Sequence, residues 1–157
     1  LFSMSADITF IANELKTNDG SSLRDATIRN EKTLERIEKM SWNNVEVQRA
    51  RMDNDPQMIF LTDESGNCLW VNRRYMRATG RTMEETKGSG WINAIAAECR
   101  EDVKNSWYES ATEGREFSMR VKFRTPEGEE FEVDMVSYKM TNPDGEITGY
   151  LGSGVLE

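Results

Sequence analysis

The chain contains no histidine, and that single absence removes most of the side-chain chemistry that operates near neutral pH. Without it there is no Ser-His-Asp or Cys-His nucleophile pair, no His-bearing zinc centre and no His-ligated haem. Cysteine is scarce as well: Cys68 and Cys99 are the only two. They are too few for a secreted disulfide scaffold and lack CxxC spacing, which fits a reducing cytoplasmic compartment. Basic charge is in deficit, with 20 Lys and Arg against 28 Asp and Glu and a net charge of −8. That balance argues against nucleic acid as a partner, because phosphate tracking needs clustered cations. Long apolar runs are missing too, none approaching the roughly 18 residues of a membrane span. The chain opens on Leu1 rather than Met, so it reads as a fragment with room for an upstream anchor.

What is present is enough for one core. The chain has 157 residues, 37% of them hydrophobic, which predicts one domain plus an appendage. Residues 1–22 read as a leader, with two helical turns over Ile8 to Leu15 and turn formers from Asn18 to Ser22. Ser21 or Ser22 is placed to cap a helix over 23–52, a stretch free of Gly and Pro. At 100° per residue, Leu23, Ala26, Leu34, Ile37, Val45 and Met52 fall in one stripe, diluted by Asn30, Ser41, Asn44 and Gln48. Two readings of that stripe stand: the helix packs on its own domain, or it pairs with a second copy, where a buried Asn sets register.

From Asp55-Pro56 the period changes. Met58 to Asp63 and Cys68 to Val71 flank a turn and predict a hairpin. Asn72 caps a short helix ending at Gly80, and Thr82-Met83-Glu84-Glu85 is a capping box for another, stopped by Gly88. Helical pieces follow over 91–97 and 98–112, the latter with Val103, Trp107 and Ala111 on one face. Residues 116–124 and 130–137 alternate apolar with charged side chains. Pairing them so that residue numbers sum to 254 sets Arg124 against Glu130, Lys122 against Glu132 and Arg120 against Asp134. The same register sets Phe123 on Phe131, Val121 on Val133 and Met119 on Met135, so one register satisfies both faces. Asn142-Pro143-Asp144-Gly145 turns into a last strand, Ile147 to Leu156.

The run Ile59-Phe60-Leu61-Thr62-Asp63 with Gly66, Trp70-Val71-Asn72, Thr79-Gly80, Glu84-Glu85, Gly88 and Trp91 resembles the opening pattern of PAS domains. Phe117, Arg124, Gly128, Pro143, Gly145 and Gly149-Tyr150-Leu151-Gly152 resemble the closing one. The resemblance spans residues 53–157, about two thirds of the chain. It implies an α+β fold: a five-stranded antiparallel sheet, short helices on one face and a long N-terminal helix. It also implies a sensory, signal-relaying module, a homodimer through that helix, with Leu23, Asn30, Leu34, Ile37 and Val45 at the interface and an effector outside this chain. The fold by itself is equally compatible with a non-sensing assembly module whose core is filled.

The same resemblance implies a cavity lined by Trp91, Ile95, Cys99, Met119, Val121, Met135 and Leu151. An apolar pocket of that kind suits an unidentified small molecule. Cys-adduct flavin chemistry is disfavoured, because Asn67-Cys68 is followed by Leu69-Trp70 and lies in the hairpin rather than on the helical side. His-ligated haem is excluded by composition, so no cofactor is expected. Glu84-Glu85, Glu101-Asp102 and Glu129-Glu130 sit in caps, turns and helix surfaces, so no catalytic residue and no metal site are expected. Residues 11–16 and 20–25 resemble juxtamembrane segments of phage and prophage membrane proteins, which implies a cytoplasmic domain tethered to the inner membrane by a segment upstream.

Overall fold

In the computed structural model, residues 21–156 are described; the leader segment expected over Ile8 to Leu15 lies outside them. The chain divides into two compact units, Leu1–Gln48 and Arg49–Glu157. Helix α1 runs over Ser21–Asp53, so Ser21 and Ser22 lie within it rather than ahead of it as caps. The absence of Gly and Pro permits 33 uninterrupted residues. Leu23, Leu34, Ile37 and Val45 are all more than half exposed, and Asn30 is exposed with them.

In the second unit, β1 (Met58–Thr62) and β2 (Cys68–Val71) form the expected hairpin. Helix α2 (Arg73–Thr79) starts at Asn72, whose side chain accepts from the Tyr75 amide, and ends on Gly80 in the left-handed region. Thr82 and Glu85 form a full capping box for α3 (Met83–Thr86). The stretch expected as helix over 91–97 is instead two 3-10 turns, Gly90–Ala94 and Ala97–Cys99, and α4 covers Arg100–Thr112. Too few residues separate the turns for an i to i+4 ladder to repeat.

Strands β3 (Ser118–Arg124), β4 (Glu130–Thr141) and β5 (Ile147–Leu156) complete an antiparallel sheet of order β2-β1-β5-β4-β3. The β3–β4 partners are those of the 254 register throughout, from Ser118 with Val136 to Arg124 with Glu130. One sheet face carries Phe60, Val121, Phe123, Val133, Met135 and Tyr150 into the core, against Tyr75, Ile95, Val103 and Trp107 from the helical side. On the other face Trp70, Leu61, Leu151 and Tyr138 lie in one cross-strand row, and Tyr138 is more than half exposed.

The charged face of the β3–β4 hairpin is an ion-pair ladder. Arg120 Nε lies 2.9 Å from Asp134 Oδ1, and Arg124 bridges Glu98 and Glu130. The Arg120 hydrogen bond holds the Asp134 carboxyl below its ordinary value near 3.8, so the folded state prefers the ionised form. That contribution is present above about pH 4 and disappears as pH falls through the lowered value. Urea midpoints of the wild type are expected to fall on going from pH 5 to pH 3, and those of Asp134→Asn to fall less steeply. Parallel slopes would remove Asp134 from the acid response.

Candidate functional site

Between the sheet and the helical side lies a cavity of about 40 Å³, lined in large part by aromatic rings. Trp107 is at its centre. Phe60, Phe117 and Tyr150 meet its indole edge to face at centroid distances of 5.5, 5.3 and 5.8 Å, the arrangement that the ring quadrupole favours. Its Nε1 donates to Gly66 O at 2.8 Å, which leaves the buried indole satisfied. Gly66 sits at φ 86°, and a Cβ there would lie 2.8 Å from that same Nε1, so the turn before β2 needs glycine for both conformation and space.

Of the side chains expected at a cavity, Trp91, Ile95, Val121 and Met135 line it. Cys99, Met119 and Leu151 are not among its lining residues. Cys99 is half-buried, with its Sγ 3.4 Å from Ala96 O and 3.9 Å from Lys122 O, engaged at the turn rather than facing the void. Met119 shares the inward face with Met135 but stands near the start of β3, half-buried. Leu151 is on the opposite sheet face, paired with Leu61 and Tyr138. Tyr150, Gly152 and Gly154 take the inward positions of β5. Hydropathy favours Leu inside, but packing needs the glycines there, since Phe60 lies across Gly152 and Met135 across Gly154.

The cavity also takes in Phe60, Thr62, Cys68 and Tyr75, which a sequence reading centred on the later elements missed. The inward parity of β1 was the signal available for Phe60 and Thr62. Burial pushes the Cys68 thiol up to about 11, so it is a neutral lining group and a poor nucleophile. Tyr75 is 3% exposed and packs edge to face on Phe123; burial drives its hydroxyl well above the ordinary phenol range.

One polar residue joins this core to α1. Asn72 is fully buried. Its Oδ1 accepts from Ile59 N and Tyr75 N at 2.9 and 3.0 Å, and its Nδ2 donates to Met52 O and Gln57 O at 2.8 and 2.9 Å. Beside it, Asp53 Oδ1 accepts from Arg73 N at 3.2 Å. The last turn of α1, the edge of β1 and the first turn of α2 thus share one side chain, three residues from Tyr75, which lines the cavity. Among the described residues there is no group of three or more potential metal ligands and no helix long and apolar enough to cross a membrane.

Known proteins share this architecture. A relative from Sinorhizobium fredii, the uncharacterized protein y4lL, is 28% identical over 104 residues, which cover 66% of this chain and 13% of that protein. The PAS domain of an HTR-like protein from Haloarcula marismortui superposes with a TM-score of 0.61 at 19% identity, over 78% of this chain and 99% of that one. A PAS domain from a two-component sensor histidine kinase gives 0.59 at 14% identity, over 74% and 99%. The two superpositions show a common fold. The sequence model of the PAS fold matches residues 48–154, which takes in β1 to β4, all but the last two residues of β5, and the cavity between sheet and helices, and the chain belongs to the PAS fold family.

Proposed function

We propose that this chain is a sensory, signal-relaying PAS module that works as a homodimer through α1, with no catalytic activity of its own. The observation that carries the reading is the Asn72 junction: a change in the packing around Tyr75 reaches the Met52 carbonyl, and so the end of α1, through one hydrogen-bonded side chain. The exposed apolar stripe of α1 supports the pairing, since Leu34 and Ile37 lie a helical turn apart in one line. The name of the sensor histidine kinase neighbour supports a signalling context. The effector belongs to another part of the protein or to a partner, and the module works in the cytoplasm, tethered through a segment upstream.

A second reading, a pure assembly module, is favoured by one observation: the cavity is far below the roughly 300–1,000 Å³ of ordinary small-molecule sites, because Phe60 and Met135 occupy the space over Gly152 and Gly154. Native mass spectrometry of the full chain and of a truncation starting at Asp53 tests both. The relay reading expects dimer for the first and monomer for the second. An unchanged oligomeric mass would remove α1 as the interface.

A further inference from the structure

Helix α2 breaks a local rule. It carries Arg73, Arg74 and Arg77, and no acidic residue in its first turn, where the helix dipole favours carboxylates over cations. With Arg81 just beyond Gly80, four arginines fall within residues 73–81 and no Asp or Glu stands among them, in a chain whose net charge is −8. A local choice that works against the element holding it points to function rather than to folding. Arg73, Arg74 and Arg77 line one cleft of about 430 Å³ together with Asp53, Asn54, Asp55 and Pro56. All of these residues belong to one compact unit, and none of them lines the aromatic cavity. The cleft lies within the roughly 300–1,000 Å³ of ordinary small-molecule sites.

The charges in the cleft are unevenly partnered. Asp53 Oδ1 accepts from Arg73 N at 3.2 Å and Asp53 Oδ2 stands 3.9 Å from Arg73 Nε, while Asp55 Oδ1 accepts from Gln57 N at 2.9 Å. The Arg74 and Arg77 side chains have no ion pair or hydrogen bond among the described residues, although both line the same cleft. Two uncompensated guanidinium groups at i and i+3 on one helix match a ligand group of two negative charges. A phosphomonoester carries about −1.5 to −2 at pH 7 and presents three acceptor oxygens, and the guanidinium fork suits phosphate geometry. A lone carboxylate brings half that charge, and a triphosphate would set its surplus against Asp53 and Asp55. We propose that this cleft is a ligand site distinct from the aromatic cavity, and that it binds a small organic phosphomonoester through Arg74 and Arg77. Asn54 and Asp55 give the rest of the cleft a polar lining, which favours a hydroxylated carbon skeleton over an apolar one. The site makes no use of pairing through α1, so it stands or falls apart from the relay.

The test is a titration of the full chain with glycerol 3-phosphate at physiological ionic strength, read by calorimetry and by NMR at the Arg74 and Arg77 side-chain N–H groups. A saturable shift is expected at both. Dimethyl phosphate, a diester with a single charge, should bind about tenfold more weakly. Arg74→Gln and Arg77→Gln should each weaken glycerol 3-phosphate binding about tenfold, the loss of one charge-assisted pair. Arg115→Gln, at an exposed arginine paired with Glu113, should leave it within about twofold, since that charge lies outside the cleft. Arg74 and Arg77 are exposed, so the melting temperatures of their variants should stay within about 2 °C of wild type. Replacing both by lysine, Arg74→Lys with Arg77→Lys, keeps the charge and removes the fork, and should still cost about tenfold. Equal affinity in the double lysine variant would reduce the cleft to a diffuse attraction and overturn the site. So would equal losses from Arg115→Gln, or no saturable shift in wild type.

Discussion

Asn72→Ala is expected to cost about 3–5 kcal/mol, enough to consume much of the stability of a domain this size. The variant strands the Ile59 and Tyr75 amides and the Gln57 carbonyl, and leaves the Met52 carbonyl with only the Asp55 amide at 3.3 Å. Each lost bond is worth about 1 kcal/mol net, and a buried group left without partner costs about 1–3 kcal/mol more. Water entering the space left by the amide recovers part of that, which keeps the total below the simple sum. At about 4 °C per kcal/mol the melting temperature should drop by roughly 12–20 °C. Asn72→Asp separates the two halves of the junction. A carboxylate still accepts from Ile59 and Tyr75 but cannot donate to Met52 and Gln57, and it repels their carbonyls. Urea unfolding of both variants is the measurement. A loss under about 1 kcal/mol for Asn72→Ala would mean that the junction contributes little to anchoring the last turn of α1 beside β1.

The importance of Asn72 was only half legible. As a cap for α2 it could be read directly, because Asn before a short helix is a local signal. Its other three bonds reach back 20 residues to Met52, 15 to Gln57 and 13 to Ile59, and no local pattern encodes them. The same divide runs through the fold. The β3–β4 register was fixed by two independent alternations that agree in one alignment only, and it is found residue for residue. The 3-10 turns over Gly90–Ala94 and Ala97–Cys99 were read as helix because their apolar residues mimic a helical face over less than two turns. In β5 the alternation is carried by glycines, which have no hydropathy to read. Leu151 was therefore assigned the core, and the structure sets it outside. The cavity followed from the order of elements, whereas Tyr75 and Cys68 enter it from α2 and β2 by long-range packing.

Those glycines set the second large effect. Gly152→Ala would bring a Cβ to 1.9 and 2.0 Å from Phe60 Cζ and Cε1, well inside any tolerable contact. The cause is steric alone, since Gly152 is not in the left-handed region. Phe60 cannot easily retreat, because its ring is already held edge to face on Trp107 at 5.5 Å and borders a cavity too small to receive it. Overpacking of this kind costs about 1–3 kcal/mol, and the rigid backing of Trp107 puts the expected loss at or above the upper end, about 3 kcal/mol. Gly154→Ala is the internal comparison: its Cβ would meet Met135 Sδ at 2.4 Å and Val133 Cγ1 at 2.6 Å; the methionine has rotamers into which it can move, but the buried Val133 is stiff at χ1, so a loss of similar size is expected. Phe60→Leu should rescue Gly152→Ala, because the smaller side chain clears the new methyl. The coupling from the double-mutant cycle, read in urea unfolding, should exceed about 1 kcal/mol. Additive losses would show that the two positions do not compete for space, and the account of a core filled across the glycines of β5 would then have to be abandoned.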